Sequence, residues 1–191
     1  MDKDGPLCAE QMLYAACFRA MAEISEQLGK DGSMYSQEYE KLTAAIEKFY
    51  WDEEKGAYID SFTSGKRNVT RHANIFAVLF SIADKEKQEK ILTNVLENEK
   101  IPAITTPYFN FFELDVLCQM GKLQEVLDKI RSYWGGMLDL GAVTFWEEYD
   151  PSVPKEEQYD MYGDHFGKSL CHAWAASPII FWQNTLLDWI L

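Results

Sequence analysis

Arg71-His72-Ala73-Asn74-Ile75-Phe76-Ala77-Val78-Leu79-Phe80-Ser81-Ile82-Ala83 is followed, after one aspartate, by Lys85-Glu86-Lys87-Gln88-Glu89-Lys90-Ile91-Leu92. The first run is long enough for a helix and is apolar on nearly every side, so it is predicted to be buried all round. The second, extending to about 99, is charged. Its apolar residues form a narrow stripe of Ile91, Leu92, Val95 and Leu96, so it faces solvent on the opposite side. An inner helix beside an outer one is the unit from which this fold is read.

The same alternation spreads outward from that pair. Upstream, Met12, Leu13, Ala16, Cys17, Ala20, Met21, Ile24 and Leu28 mark a helical stripe closed by Gly29. A second helix carries Tyr35, Tyr39, Leu42, Ile46 and Phe49 on one face. Residues 52–56 read as a turn, 57–62 as a short extended piece and 63–68 as polar loop. Downstream, Pro102 and Pro107 break the chain before an apolar, aromatic helix over 109–120. Gly121 turns into a sixth helix with Leu123, Val126, Leu127 and Ile130 on one face. A last helix is read from about Ser169 into the apolar chain end, bent at Pro178. The pattern is all-α, about seven helices in an inner and an outer layer built from successive hairpins, with minimal strand content.

Composition narrows the function. The 191 residues suit one domain with a sizeable core. With 18 basic and 31 acidic side chains the net charge is −13, which argues against nucleic acid or an anionic membrane as partner. A neutral substrate fits better, and an aromatic content of 14% suits sugar rings as well as ordinary packing. Cys8, Cys17, Cys118 and Cys171 lie in apolar helical contexts without Cys-x-x-Cys spacing and read as buried thiols, not a disulfide framework. Asn68-Val69-Thr70 fits the glycosylation acceptor pattern, a tripeptide common by chance.

Between the sixth and last helices the periodicity fails. The segment reads Tyr133-Trp134-Gly135-Gly136-Met137, then Gly141-Ala142-Val143-Thr144-Phe145-Trp146-Glu147-Glu148, and later Ser169-Leu170-Cys171-His172-Ala173-Trp174. Irregular segments of this kind carry function on a scaffold built by the rest. Glu147 and Glu148 are neighbours, so in extended backbone their side chains point opposite ways and one can face a pocket. A carboxylate beside indoles is expected to have a raised pKa, in the range useful for a general base; both residues also read as solvated loop acids. His172 is either a core histidine on a helix or a site residue, and Trp134, Trp146 and Trp174 either line a sugar site or pack the core. No His-x-x-x-His spacing or acidic triad points to a metal, and no cofactor motif is found.

Those three motifs resemble the C-terminal part of the catalytic domain of bacterial α-L-rhamnosidases, and the likeness runs roughly from Met12 to Pro178. The resemblance implies a six-hairpin α/α toroid, here a partial barrel covering 1–191 and truncated at both ends. It implies inverting hydrolysis of rhamnose-containing oligosaccharides or glycosides by two carboxyl groups on opposite faces of the sugar. Glu147 then falls on the general base, His172 on a sugar-site residue, and Trp134, Trp146 and Trp174 around the pocket; no metal or cofactor is implied. The family's general acid belongs to an Arg-x-Glu-Arg segment, and the arginines of this chain, at 19, 67, 71 and 131, form none. The chain is therefore expected to be inactive alone. Other six-hairpin glycosidases and lyases share the helical pattern without these motifs, and a non-catalytic helical scaffold or carbohydrate-binding piece is the alternative. Open barrel flanks, the first helix and the one ending at Leu191, are expected to drive self-association.

Overall fold

The structure, a computed structural model, describes residues 1–182. The apolar chain end that the sequence gives to the last helix, 183–191, lies outside the described residues. The chain forms two compact units, one over Met1–Ala103 and one from Ile104 onward.

The first unit begins with α1 (Cys8–Gln27) and α2 (Ser33–Tyr50), an antiparallel hairpin of helices. Gly29, at φ +65°, supplies the left-handed residue that ends the first helix. A two-residue pair, β1 (Trp51–Asp52) and β2 (Ala57–Tyr58), is joined antiparallel with Trp51 opposite Tyr58. Then come α3 (Arg71–Leu79) and α4 (Lys85–Ile91), the latter capped by the Asp84 carboxylate accepting from Lys87 N at 2.9 Å. A π-helical turn, Leu92–Leu96, prolongs α4.

As the sequence indicates, α3 is the buried element, with Ala73 to Val78 all inside. Its Asn74 is fully buried and ties the strand pair to the helix. Asn74 Oδ1 accepts from Tyr58 N at 2.8 Å, and its amide donates to the carbonyls of Tyr58 and Thr70, both at 2.9 Å. Ile91, Val95 and Leu96 of the outer stripe are also buried, with Leu92 half-buried.

The first helix departs from its reading. It buries Cys8, Met12 and Ala15 toward α2 and α3, while Leu13, Cys17, Met21, Ile24 and Leu28 of the expected core stripe are exposed. A stripe records that a face is apolar, not which neighbour covers it. The cysteines divide likewise: Cys8 is buried, Cys118 half-buried, and Cys17 and Cys171 exposed.

The second unit starts with the hairpin of α5 (Pro107–Gln119) and α6 (Leu123–Asp139). Pro107 opens α5, where its missing N–H has no helical partner to lose. Contrary to the sequence reading, α6 does not stop before Tyr133 but continues through Gly135 and Gly136. Two buried anchors hold it: Tyr133 Oη donates to Thr105 O at 2.5 Å and Trp134 Nε1 to Ala175 O at 2.8 Å. Tertiary packing of this kind outweighs a cost of about 1 kcal/mol per glycine. The last helix also starts later than expected. Residues 169–172 are not helical; a 3₁₀ turn at Ala173–Ala175 and the short α7 (Pro178–Phe181) follow.

Candidate active site

The non-helical start of the last segment has a definite cause. His172 N donates to Phe145 O at 2.8 Å, Glu147 N donates to Ser169 O at 2.9 Å, and Thr144 Oγ1 donates to Leu170 O. The two motifs separated by some twenty residues in sequence therefore lie side by side, and their hydrogen bonds are spent on each other instead of on a helix. His172 sits at φ −118°, ψ 117° in that pairing, not on a helix as read from sequence.

The three side chains of residues 146–148 go to separate partners. Trp146 is buried, its ring edge-on to Tyr159 with centroids 5.6 Å apart. Glu148 turns toward Thr105, whose hydroxyl donates to its Oε1 at 2.7 Å. Glu147 has partners of its own. It is only 7% exposed, yet both oxygens are engaged: Oε2 accepts from Ser169 N at 3.0 Å and Oε1 from Tyr162 Oη at 2.8 Å.

These contacts decide its protonation. The Ser169 N–H, opposed by burial and aided by the Tyr162 hydroxyl, His172 and Lys168, holds the Glu147 carboxyl below the ordinary glutamate value of 4.5. The sequence expectation of a raised pKa is thus corrected: a buried carboxylate that accepts a backbone N–H stays ionised. Lys168 is itself buried, and burial pulls its ammonium below the usual lysine value against the attraction of Glu148, Asp150 and Glu147.

Around this carboxylate the aromatic residues take different stations. His172 stacks on Trp174 with centroids 3.9 Å apart and planes 3° from parallel, and Tyr108 approaches the same indole at 5.3 Å. Trp174 is 40% exposed. Trp134 and Trp146 are buried behind the surface, and Trp134 also lines an apolar cavity of about 150 Å³ with Met137, Ala142 and Phe145. Sequence reasoning did not single out Tyr162, Tyr108 or Thr105, and Ser169 stood only as the first residue of its motif. The Tyr162-Gly163 pair, a turn signal in a polar stretch, was the available cue for the first; Tyr108 acts through ring packing and Thr105 through a hydroxyl to a carboxylate far along the chain, and neither leaves a local mark. Among the described residues no group of three or more His, Cys, Asp or Glu could hold a metal ion, and no helix is long and apolar enough to cross a membrane.

The family model of the bacterial alpha-L-rhamnosidase six-hairpin glycosidase domain matches residues 2–186. The chain belongs to that family. Its fold class follows: an all-α domain of the six-hairpin glycosidase, α/α toroid type. Among solved structures, a rhamnosidase from Klebsiella oxytoca with rhamnose bound superposes with a TM-score of 0.79 at 28% identity, over 96% of this chain and 34% of that one. A GH78 family rhamnosidase of Bacillus sp. GL1 gives 0.77 at 25% identity, over 94% and 19%. This member of the rhamnosidase family thus spans about a third and about a fifth of the length of those two relatives. No curated protein matches it in sequence.

Proposed function

We propose that this chain carries the base side of an α-L-rhamnosidase site, acting on terminal α-L-rhamnosyl linkages with inversion, and that Glu147 is the general base. One observation carries the reading: Glu147 is buried in the paired motifs yet held ionised by a backbone N–H, with an exposed stack of His172 and Trp174 close by in the same pairing. An ionised carboxylate of this kind accepts a proton from water. As the water oxygen bonds to the anomeric carbon, its proton passes to Glu147. The glycosidic C–O bond breaks on the opposite face, and the leaving oxygen takes a proton from a general acid. Inversion follows because attack and departure are on opposite faces.

Trp174 offers the exposed aromatic surface for the sugar's apolar side, His172 orients that indole, and Trp134 and Trp146 shape the pocket from behind. A rhamnose-containing oligosaccharide or glycoside is the ligand this arrangement suits, in keeping with the rhamnose bound to the Klebsiella oxytoca relative. The chain holds no Arg-x-Glu-Arg segment of the kind to which the family's general acid belongs, so the isolated polypeptide binds the sugar without turnover.

Calorimetry with L-rhamnose and assay of an aryl α-L-rhamnoside test this. The expected result is measurable rhamnose binding, weakened several-fold in Trp174→Ala, with no turnover. Failure to bind rhamnose overturns the site assignment. Turnover that disappears in Glu147→Gln overturns the claim of inactivity and keeps the base.

A further inference from the structure

Met161 and Asp164 exchange both backbone hydrogen bonds, at 3.1 and 3.0 Å, leaving Tyr162 and Gly163 as the two central residues of a tight turn. Both have positive φ, 56° and 85°, the arrangement of a type I′ turn. Glycine and asparagine adopt it readily; a tyrosine at the first position is strained. Burial does not explain its presence, because Tyr162 is 77% exposed. Nor does the fold of the hairpin need its hydroxyl. The stem is held by Gly167 N to Asp164 O at 3.1 Å and Lys168 N to Tyr159 O at 3.1 Å. Phe166 also stacks on Tyr159, centroids 5.7 Å apart. What the turn accomplishes is to deliver one hydroxyl to Glu147 Oε1.

The carboxylate is therefore gripped from two sides by unlike partners: Oε2 by the backbone of Ser169, Oε1 by a side chain at the tip of a turn. A carboxylate oxygen that accepts one hydrogen bond keeps a second lone pair, and a phenol that donates its hydrogen keeps acceptor capacity. A water, with two hydrogens, or a pair of neighbouring sugar hydroxyls entering beside Oε1 thus meets two acceptors.

We propose that Tyr162 is a positioning residue for the base, fixing Glu147 Oε1 and offering its own oxygen as the acceptor for a second hydrogen of the ligand bound there. The proposal rests on the reading of Glu147 as base. It acts together with the other groups facing that carboxylate, the Ser169 N–H, His172 and Lys168, none of which lies on the turn's tip.

Two variants of this chain separate positioning from structure. Tyr162→Phe keeps the ring and removes only the hydroxyl; Tyr162→Asn suits the positive φ better than tyrosine. The Glu147 titration is followed by carboxyl carbon NMR, L-rhamnose affinity by calorimetry, and stability by thermal unfolding. Both variants are expected to move the Glu147 titration to higher pH and to weaken rhamnose binding about five-fold, the loss of one hydrogen bond. The asparagine variant should unfold at the same or a higher temperature. An unmoved titration in Tyr162→Phe, or affinity lost only in step with melting temperature, overturns the proposal. Rhamnose binding by the wild type that neither variant changes also overturns it, leaving the base intact. A wild type that binds no rhamnose, with a titration that still responds to Tyr162, refutes the sugar reading and the second-acceptor role while retaining the grip on Oε1.

Discussion

Asn74 satisfies three backbone groups with one amide. Truncating it leaves the Tyr58 N–H and the carbonyls of Tyr58 and Thr70 without that partner in a buried setting. Each orphaned group costs about 1–3 kcal/mol, so with three of them Asn74→Ala is expected to lose about 3 kcal/mol or more in denaturant unfolding, with an unchanged far-ultraviolet spectrum at low denaturant. A loss under about 1 kcal/mol would show that the strand pair is held otherwise. Glu147 makes a different prediction because its stabilisation depends on charge. Its folded pKa lies below the ordinary value of 4.5, so the unfolded chain takes up the proton first as pH falls. The contribution is present above about 4.5 and is lost as pH drops through the depressed folded value. Glu147→Gln, which cannot ionise, should therefore flatten the decline of stability on the acid side of that window. Parallel acid-unfolding curves for the two proteins would contradict the hydrogen-bonded, ionised carboxylate described above.

At the scale of elements, the inner and outer helices were legible because burial writes itself into composition: α3 is apolar throughout and α4 is charged with one stripe. The boundaries around the site were not. Tyr133 to Met137 reads as a loop on account of its two glycines, yet α6 runs through them because the anchors at Thr105 and Ala175 are distant in sequence. The Ser169 to His172 run reads as helix, yet it is not helical because its hydrogen bonds go to residues 145 and 147. In both cases the deciding partner lies far along the chain, where periodicity carries no information. Glu147 and His172 are candidates by motif, whereas the proposed role of Tyr162 depends on where a turn tip lands, which the motif does not mark. The adjacent glycines of α6 give a test at this scale. A Cβ at Gly135 meets nothing within 4 Å, whereas one at Gly136 would lie 2.4 Å from the hydroxyl of Tyr149, a buried ring packed edge-on to Tyr133. Gly135→Ala should thus gain up to about 1 kcal/mol of helix propensity. Gly136→Ala should lose stability, by about 1–3 kcal/mol of overpacking. Thermal melts of the pair decide it, and a gain in both would mean that Tyr149 moves aside freely.

At the scale of the whole molecule, the first helix presents an uncovered apolar face. Tyr14, Cys17, Met21, Ile24 and Leu28 are all exposed, and their spacing of three and four residues places them on one side of α1. This is seam spacing, the pattern by which one helix lies along another. If several hundred Å² of that face is removed from water, at about 25 cal/mol per Å² the gain approaches 10 kcal/mol, comparable to the whole stability of a domain. A face of that kind is normally covered, and in a solution of this chain alone the available cover is a second copy. The other flank named from sequence, at Leu191, lies outside the described residues, so the expectation rests on α1. Sedimentation at low micromolar concentration should give a species near twice 22.1 kDa. The double substitution Met21→Glu and Ile24→Glu should return it to the monomer without lowering the melting temperature of the dilute protein, because neither side chain is buried in the unit to which it belongs. A wild-type monomer that binds no hydrophobic dye would sink the expectation. So would a dimer that survives the two glutamates, because both carboxylates would then lie in an apolar interface without partners.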